Sequence, residues 1–88
     1  MSYKDTLLEF PCEFPIKVMG RSDVDLQALV LELVRKHAPD LDESNITRRD
    51  SRQGNYISLT VSVTATSKEQ LDRIYLELNA SDAVVMTL

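Results

Sequence analysis

The sequence predicts an α+β domain in which two amphipathic helices cover one face of a four-stranded antiparallel sheet. Three observations lead there. The stretch YISLTVSVTAT, residues 56–66, alternates apolar and hydroxyl side chains with a period of two, as a half-buried strand does. Two other stretches, 26–37 and the one ending near residue 79, repeat their apolar residues at helical spacing. The order of these and the remaining segments is strand, helix, strand, strand, helix, strand, which is the split βαβ or ferredoxin-like βαββαβ arrangement.

The first strand is EFPIKVMG, where Phe14, Ile16 and Val18 alternate with Pro15, Lys17 and Met19 up to Gly20. The first helix places Leu26, Leu29, Val30, Leu33, Val34 and His37 on one stripe, with Gln27, Glu32, Arg35 and Lys36 outside it. Ser22 followed three residues later by Asp25 reads as its capping box, Asp23 favours the positive helix start, and Pro39 closes the far end. A loop leads to a short charged strand over 46–51 and a turn at Gly54 and Asn55. The long strand over 56–66 then presents Ile57, Leu59, Val61, Val63 and Ala65 to the core. Either Thr66 with Glu69 or Ser67 with Gln70 caps the second helix, whose inner side is Leu71, Ile74, Tyr75 and Leu78. AVVMTL closes the sheet, with Val84, Met86 and Leu88 expected to face one way.

The chain's 88 residues make one domain, with residues 1–13 as an N-terminal arm and 14–88 as the βαββαβ core. A domain of this size buries roughly 60–65% of the surface its unfolded chain exposes, so a homodimer is an expected supplement to a modest core. The net charge of −4 weighs against nucleic acid and against an anionic membrane surface. No apolar run is long enough for a spanning helix or a signal peptide, and Cys12 is the only cysteine; a reducing cytoplasm is expected.

With helices on one side only, the other sheet face is left to water or a partner. Ser58, Thr60, Ser62 and Thr64 line it, with Lys17 and Met19 from the neighbouring strand. The simpler account is that β-branched threonine suits a half-exposed strand. The functional account is a shallow platform for a protein or a small-molecule effector. Arg48, Arg49 and Arg52 are the second candidate, a basic edge for RNA or another polyanion, although charge on an edge strand also discourages aggregation and Asp50 dilutes it. A third is metabolite sensing near the Gly20 turn, where a helix start favours anions; there the plainer account is that glycine permits a tight turn.

Other chemistry is poorly represented. Stacking aromatics are missing from the open face apart from Tyr56 at the strand's start. Asp40, Asp42 and Ser44 begin like a calcium loop, but Asn45 stands where the turn wants glycine and Ser51 where the bidentate glutamate belongs. One cysteine and one histidine, His37, are too few for a structural zinc site, and their spacing suggests no nucleophile and base. Neither a metal, a cofactor nor a catalytic set is expected.

The segments LLEFP, FPIKVMG, HAP, GNYISLTVSVTAT, IYLEL and VVMTL together resemble the YbeD-like family of small bacterial proteins, over residues 7–88. The resemblance implies a ferredoxin-like fold similar to ACT-type regulatory domains and supplies no catalytic residues. The expectation is therefore a non-catalytic regulatory or interaction module working through Lys17, Met19, Ser58, Thr60, Ser62 and Thr64.

Overall fold

The computed structural model describes residues 9–88, so most of the expected N-terminal arm, residues 1–8, lies outside the described residues. Strand β1 (Cys12–Arg21) extends the expected segment 13–20 by one residue at each end, so Cys12 and Glu13 belong to the sheet and not to the arm, and it is followed by helix α1 (Leu26–Arg35). A single 3₁₀ turn (Glu43–Asn45) leads into β2 (Ile46–Asp50); then come β3 (Tyr56–Ala65), α2 (Lys68–Asn79) and β4 (Val84–Thr87). The sheet is antiparallel with spatial order β2-β3-β1-β4, so the two ten-residue strands are central and the two short ones form the edges. This is the ferredoxin-like arrangement that the periodicity predicts.

The alternation of β3 dictates the layering. Leu59, Val61, Val63 and Ala65 are buried, while the hydroxyl residues between them point away from the helices. Ile16 and Val18 do the same on β1. Against this layer α2 sets Leu71, Ile74 and Leu78, all fully buried. Helix α1 is rolled relative to its expected stripe. Leu26, Val30 and Val34 are fully buried and Leu31 joins them, whereas Leu29 and Leu33 sit half-buried on the flank. Five apolar residues in six positions, 29–34, leave helical periodicity too little contrast to orient the helix; the packing of α1 on the sheet and α2 does so.

The caps resolve differently at the two helices. Ser67 is the N-cap of α2, accepting from the Gln70 amide at 3.1 Å, and the Gln70 side chain accepts from the Thr66 amide at 2.7 Å. At α1 the expected Ser22–Asp25 box does not form. Asp25 itself is the N-cap, accepting from the Ala28 amide at 3.2 Å. Ser22 is engaged elsewhere: its amide donates to the Asn55 carbonyl at 3.2 Å and its hydroxyl to the Gly54 carbonyl, tying the β1–α1 loop to the β2–β3 turn. Asp23 pairs with Arg21 instead of serving the helix start. Ser67→Ala is expected to lower stability by about 1 kcal/mol, seen as a drop in urea midpoint at unchanged slope.

The β2–β3 turn needs one left-handed residue, and Gly54 supplies it at φ +74°. The Ser51 amide donates to the Tyr56 carbonyl at 3.0 Å across its mouth. In the preceding loop Asp42 serves the backbone: it caps the 3₁₀ turn, accepting from the Ser44 amide at 2.8 Å, and the Ser44 hydroxyl holds its carboxyl below the usual carboxylate range.

Candidate functional site

Register places all six expected residues on the uncovered face. Lys17 lies opposite Thr60 and Met19 opposite Ser58, with Ser62 and Thr64 continuing along β3 beside Pro15 and Glu13. Adjacent strands leave Ser58, Thr60 and Ser62 half-buried, and Lys17, Met19 and Thr64 exposed.

What the sequence does not disclose is the part played by β4. The expected alignment of Val84, Met86 and Leu88 fails because β4 carries an extra residue: Val18 pairs with Thr87 and Met19 with Met86, but Gly20 pairs with Val84. The bulge leaves Val85 without a ladder partner and reverses the facing of the residues after it. Val84 therefore packs against the core, and the Thr87 hydroxyl reaches Asn79 of α2 at 3.2 Å. Met86 emerges on the open face beside Met19, and Leu88 beside Lys17. The amide of Leu88 donates to the Lys17 carbonyl at 2.8 Å, and the Tyr75 hydroxyl donates to the Leu88 carbonyl at 3.2 Å. Burial raises the pKa of that hydroxyl. Nothing in AVVMTL marks the bulge: it contains no glycine, and no non-glycine residue among those described has a positive φ.

The open face thus has two halves. Along β3 it is a stripe of hydroxyls. Along β1 and β4 it is apolar and basic: Met19 is 38% exposed, Met86 49% and Leu88 71%, around Lys17. A shallow depression lined by Lys17, Met19, Ser58, Met86 and Leu88 lies at its centre. Tyr56 extends the surface past Met19, and Arg21, its partner on β1, is engaged by Asp23. That hydrogen bond raises the arginine's pKa and lowers the aspartate's.

The three arginines do not form one patch. Side chains alternate across a strand, so Arg49, opposite Ser58, is on the open face, and Arg48, opposite Leu59, is on the other. Arg48 donates to Asp50 at 2.9 Å, and Arg52 stands apart in the turn. Their closeness in sequence is what made them look like a cluster.

Gly20 lies inside β1, with residues 21–25 between it and α1, and close packing accounts for it. A Cβ on it would lie 2.6 Å from the Ala83 carbonyl oxygen and 2.6 Å from a methyl carbon of Leu26. The space is already filled by the first residue of α1. Nor is Gly20 in a left-handed turn, since Gly54 alone among the described glycines has a positive φ. Its lack of a side chain is what lets β1, β4 and α1 converge.

A cavity of about 210 Å³ opens at the other end of the sheet, between His37, Leu41, Asn45, Thr64 and Gln70. The Gln70 side-chain amide lining it is engaged at both ends, donating to the His37 carbonyl at 2.8 Å and accepting from Thr66. These bonds join the end of α1 to the start of α2. His37 stands 3.4 Å from Glu77, which also meets Lys36 at 3.6 Å. Among the described residues no group of three or more His, Cys, Asp or Glu is placed to hold a metal ion, and no helix is long and apolar enough to cross a membrane.

Comparison with known proteins bears on the fold and the family. A UPF0250 protein from Chromobacterium violaceum is 48% identical over 85 residues, covering 97% of this chain and 96% of that one. A UPF0250 protein from Ectopseudomonas mendocina is 50% identical over 82 residues, covering 92% and 89%. The solution structure of protein HP0495 from H. pylori superposes with a TM-score of 0.74, covering 100% of this chain and 94% of that one; at 18% identity it is evidence for the fold alone. The model of the family described as "Protein of unknown function (DUF493)" matches residues 5–88. The resemblance to the YbeD-like proteins therefore holds, and the chain belongs to the DUF493 family, whose curated relatives carry the name UPF0250.

Proposed function

We propose that this chain is a non-catalytic, cytosolic regulatory or interaction module whose working surface is the uncovered sheet face. One observation carries the reading. The core is completed entirely on the helix side, yet Met19, Met86 and Leu88 are left exposed together on the opposite face. Grouped apolar side chains at a surface are the usual mark of a contact site, whereas scattered ones are not. The ferredoxin-like architecture is shared by many functions, so the reading rests on this surface and not on the fold.

Affinity capture from a native lysate tests it, using the wild-type chain, Thr60→Trp in the open face and Leu76→Ala on the outside of α2. Proteins retained by the wild type are expected to be lost with Thr60→Trp and kept with Leu76→Ala. The same retained set in all three, or loss with Leu76→Ala alone, refutes the open face as the working surface.

A further inference from the structure

We infer that the β1–β4 half of the open face, with Arg49 of β2 at its margin across β3, docks an acidic amphipathic segment of a partner protein, its apolar side chains covering Met19, Met86 and Leu88 and its carboxylates meeting Lys17 and Arg49. This rests on the open-face reading above and names the occupant.

Charge decides between occupants. The chain as a whole is acidic, at −4. Its open face around Met19 is not: the charged side chains there are Lys17 and Arg49, neither in an ion pair among the described residues. Arg21, at the margin, is already satisfied by Asp23, and the one acidic side chain on the face of β1, Glu13, lies at the far end beside Thr64. Asp50 is on the opposite side of its strand and engaged by Arg48. Two cations without an ion pair among the described residues, beside three exposed apolar side chains, call for a partner with the reverse charge and matching apolar groups.

A second copy of this chain meets that description poorly. A symmetric dimer sets one patch against itself. Stacking this half of the face on its own copy offers Lys17 no acidic side chain among the described residues of the patch. Single-stranded RNA meets it poorly as well, because the exposed apolar groups are aliphatic thioethers and a leucine, with Tyr56 as the only ring available for stacking among the described residues. A peptide segment supplies both carboxylates and aliphatic side chains.

The test uses fluorescence anisotropy with three labelled probes: a synthetic peptide of alternating leucine and glutamate, its leucine and lysine counterpart, and oligouridylate. Saturable binding of the glutamate peptide alone is expected, weakening as salt rises. Affinity should fall about tenfold or more in Met86→Glu and in the double variant Lys17→Glu with Arg49→Glu. Arg52→Glu, the same charge reversal placed in the turn, should leave it unchanged. The inference is overturned by no saturable binding, by equal binding of the lysine peptide, by preference for oligouridylate, or by affinity that ignores the Met86 and Lys17/Arg49 changes. Light scattering of the free chain adds a further arm. A species of twice the 10.0 kDa chain mass that Met86→Glu abolishes would assign this half of the face to a second copy instead. Any of these failures leaves the broader open-face reading to stand or fall by the capture experiment.

Discussion

Leu59→Ala is expected to remove about 3–5 kcal/mol of unfolding free energy and to lower the urea midpoint by about 2 M or more. Leu59 is fully buried near the middle of β3, with Val18 beside it on β1 and the helices above it. Truncation leaves a cavity that a rigid central strand, hydrogen-bonded on both sides, cannot close. The loss is a large share of the 5–15 kcal/mol that holds a domain of this kind together. Thr60→Ala, one residue along the same backbone, is expected to change stability by only about 0.5 kcal/mol, because its side chain faces away from the helices. Measuring both by chemical denaturation tests the layering directly. Comparable losses at the two positions would mean that the sheet is covered on both faces.

Gly20→Ala is expected to destabilise by about 2–4 kcal/mol, lowering the thermal midpoint by roughly 10–20 °C. The added methyl group would meet the Ala83 carbonyl oxygen at 2.6 Å and two carbons of Leu26 at 2.6 and 2.8 Å. The leucine can turn aside; the carbonyl oxygen belongs to backbone, and the Arg21 amide donates to it at 3.0 Å, so strand β4 has to move. Gly54→Ala makes the contrast. Nothing lies within 4 Å of the position, and only its φ of +74° opposes a side chain, for about 1 kcal/mol. The two glycines thus resist substitution for unrelated reasons, one for want of space and one for backbone conformation. Gly54→Asn recovers part of the loss, since asparagine tolerates that conformation. If Gly20→Ala is as mild as Gly54→Ala, β4 can yield at Ala83 more readily than its pairing implies.

The candidate surface was legible where it depends on one strand and illegible where it depends on several. Alternation alone assigns Ser58, Thr60, Ser62 and Thr64 to the face opposite Leu59 and Val61, because a strand's period of two is local geometry. The same rule separates Arg48 from Arg49, although their adjacency in sequence suggests a joint patch. Met86 and Leu88 reach the open face through a bulge whose own strand, β4, has no glycine or left-handed residue to announce it. Ser22 looked like a helix cap because local spacing allowed it, and it was drawn away by the backbone of a turn more than thirty residues distant in the chain.

Sequence by itself determined the element order, the sheet face each central strand buries and the family. Each of these rests on short-range periodicity or directly readable similarity. Cap spacing left two caps open at α2, between which the fold chose Ser67. Tertiary structure alone decided the roll of α1, the register shift in β4, the role of Gly20 as a point of close approach, and the joining of Met19, Met86 and Leu88 beside Lys17. These are set where separate segments meet. Contacts between residues far apart in the chain depend on how strands align and how closely backbones approach, and neither leaves a periodic trace in any one segment.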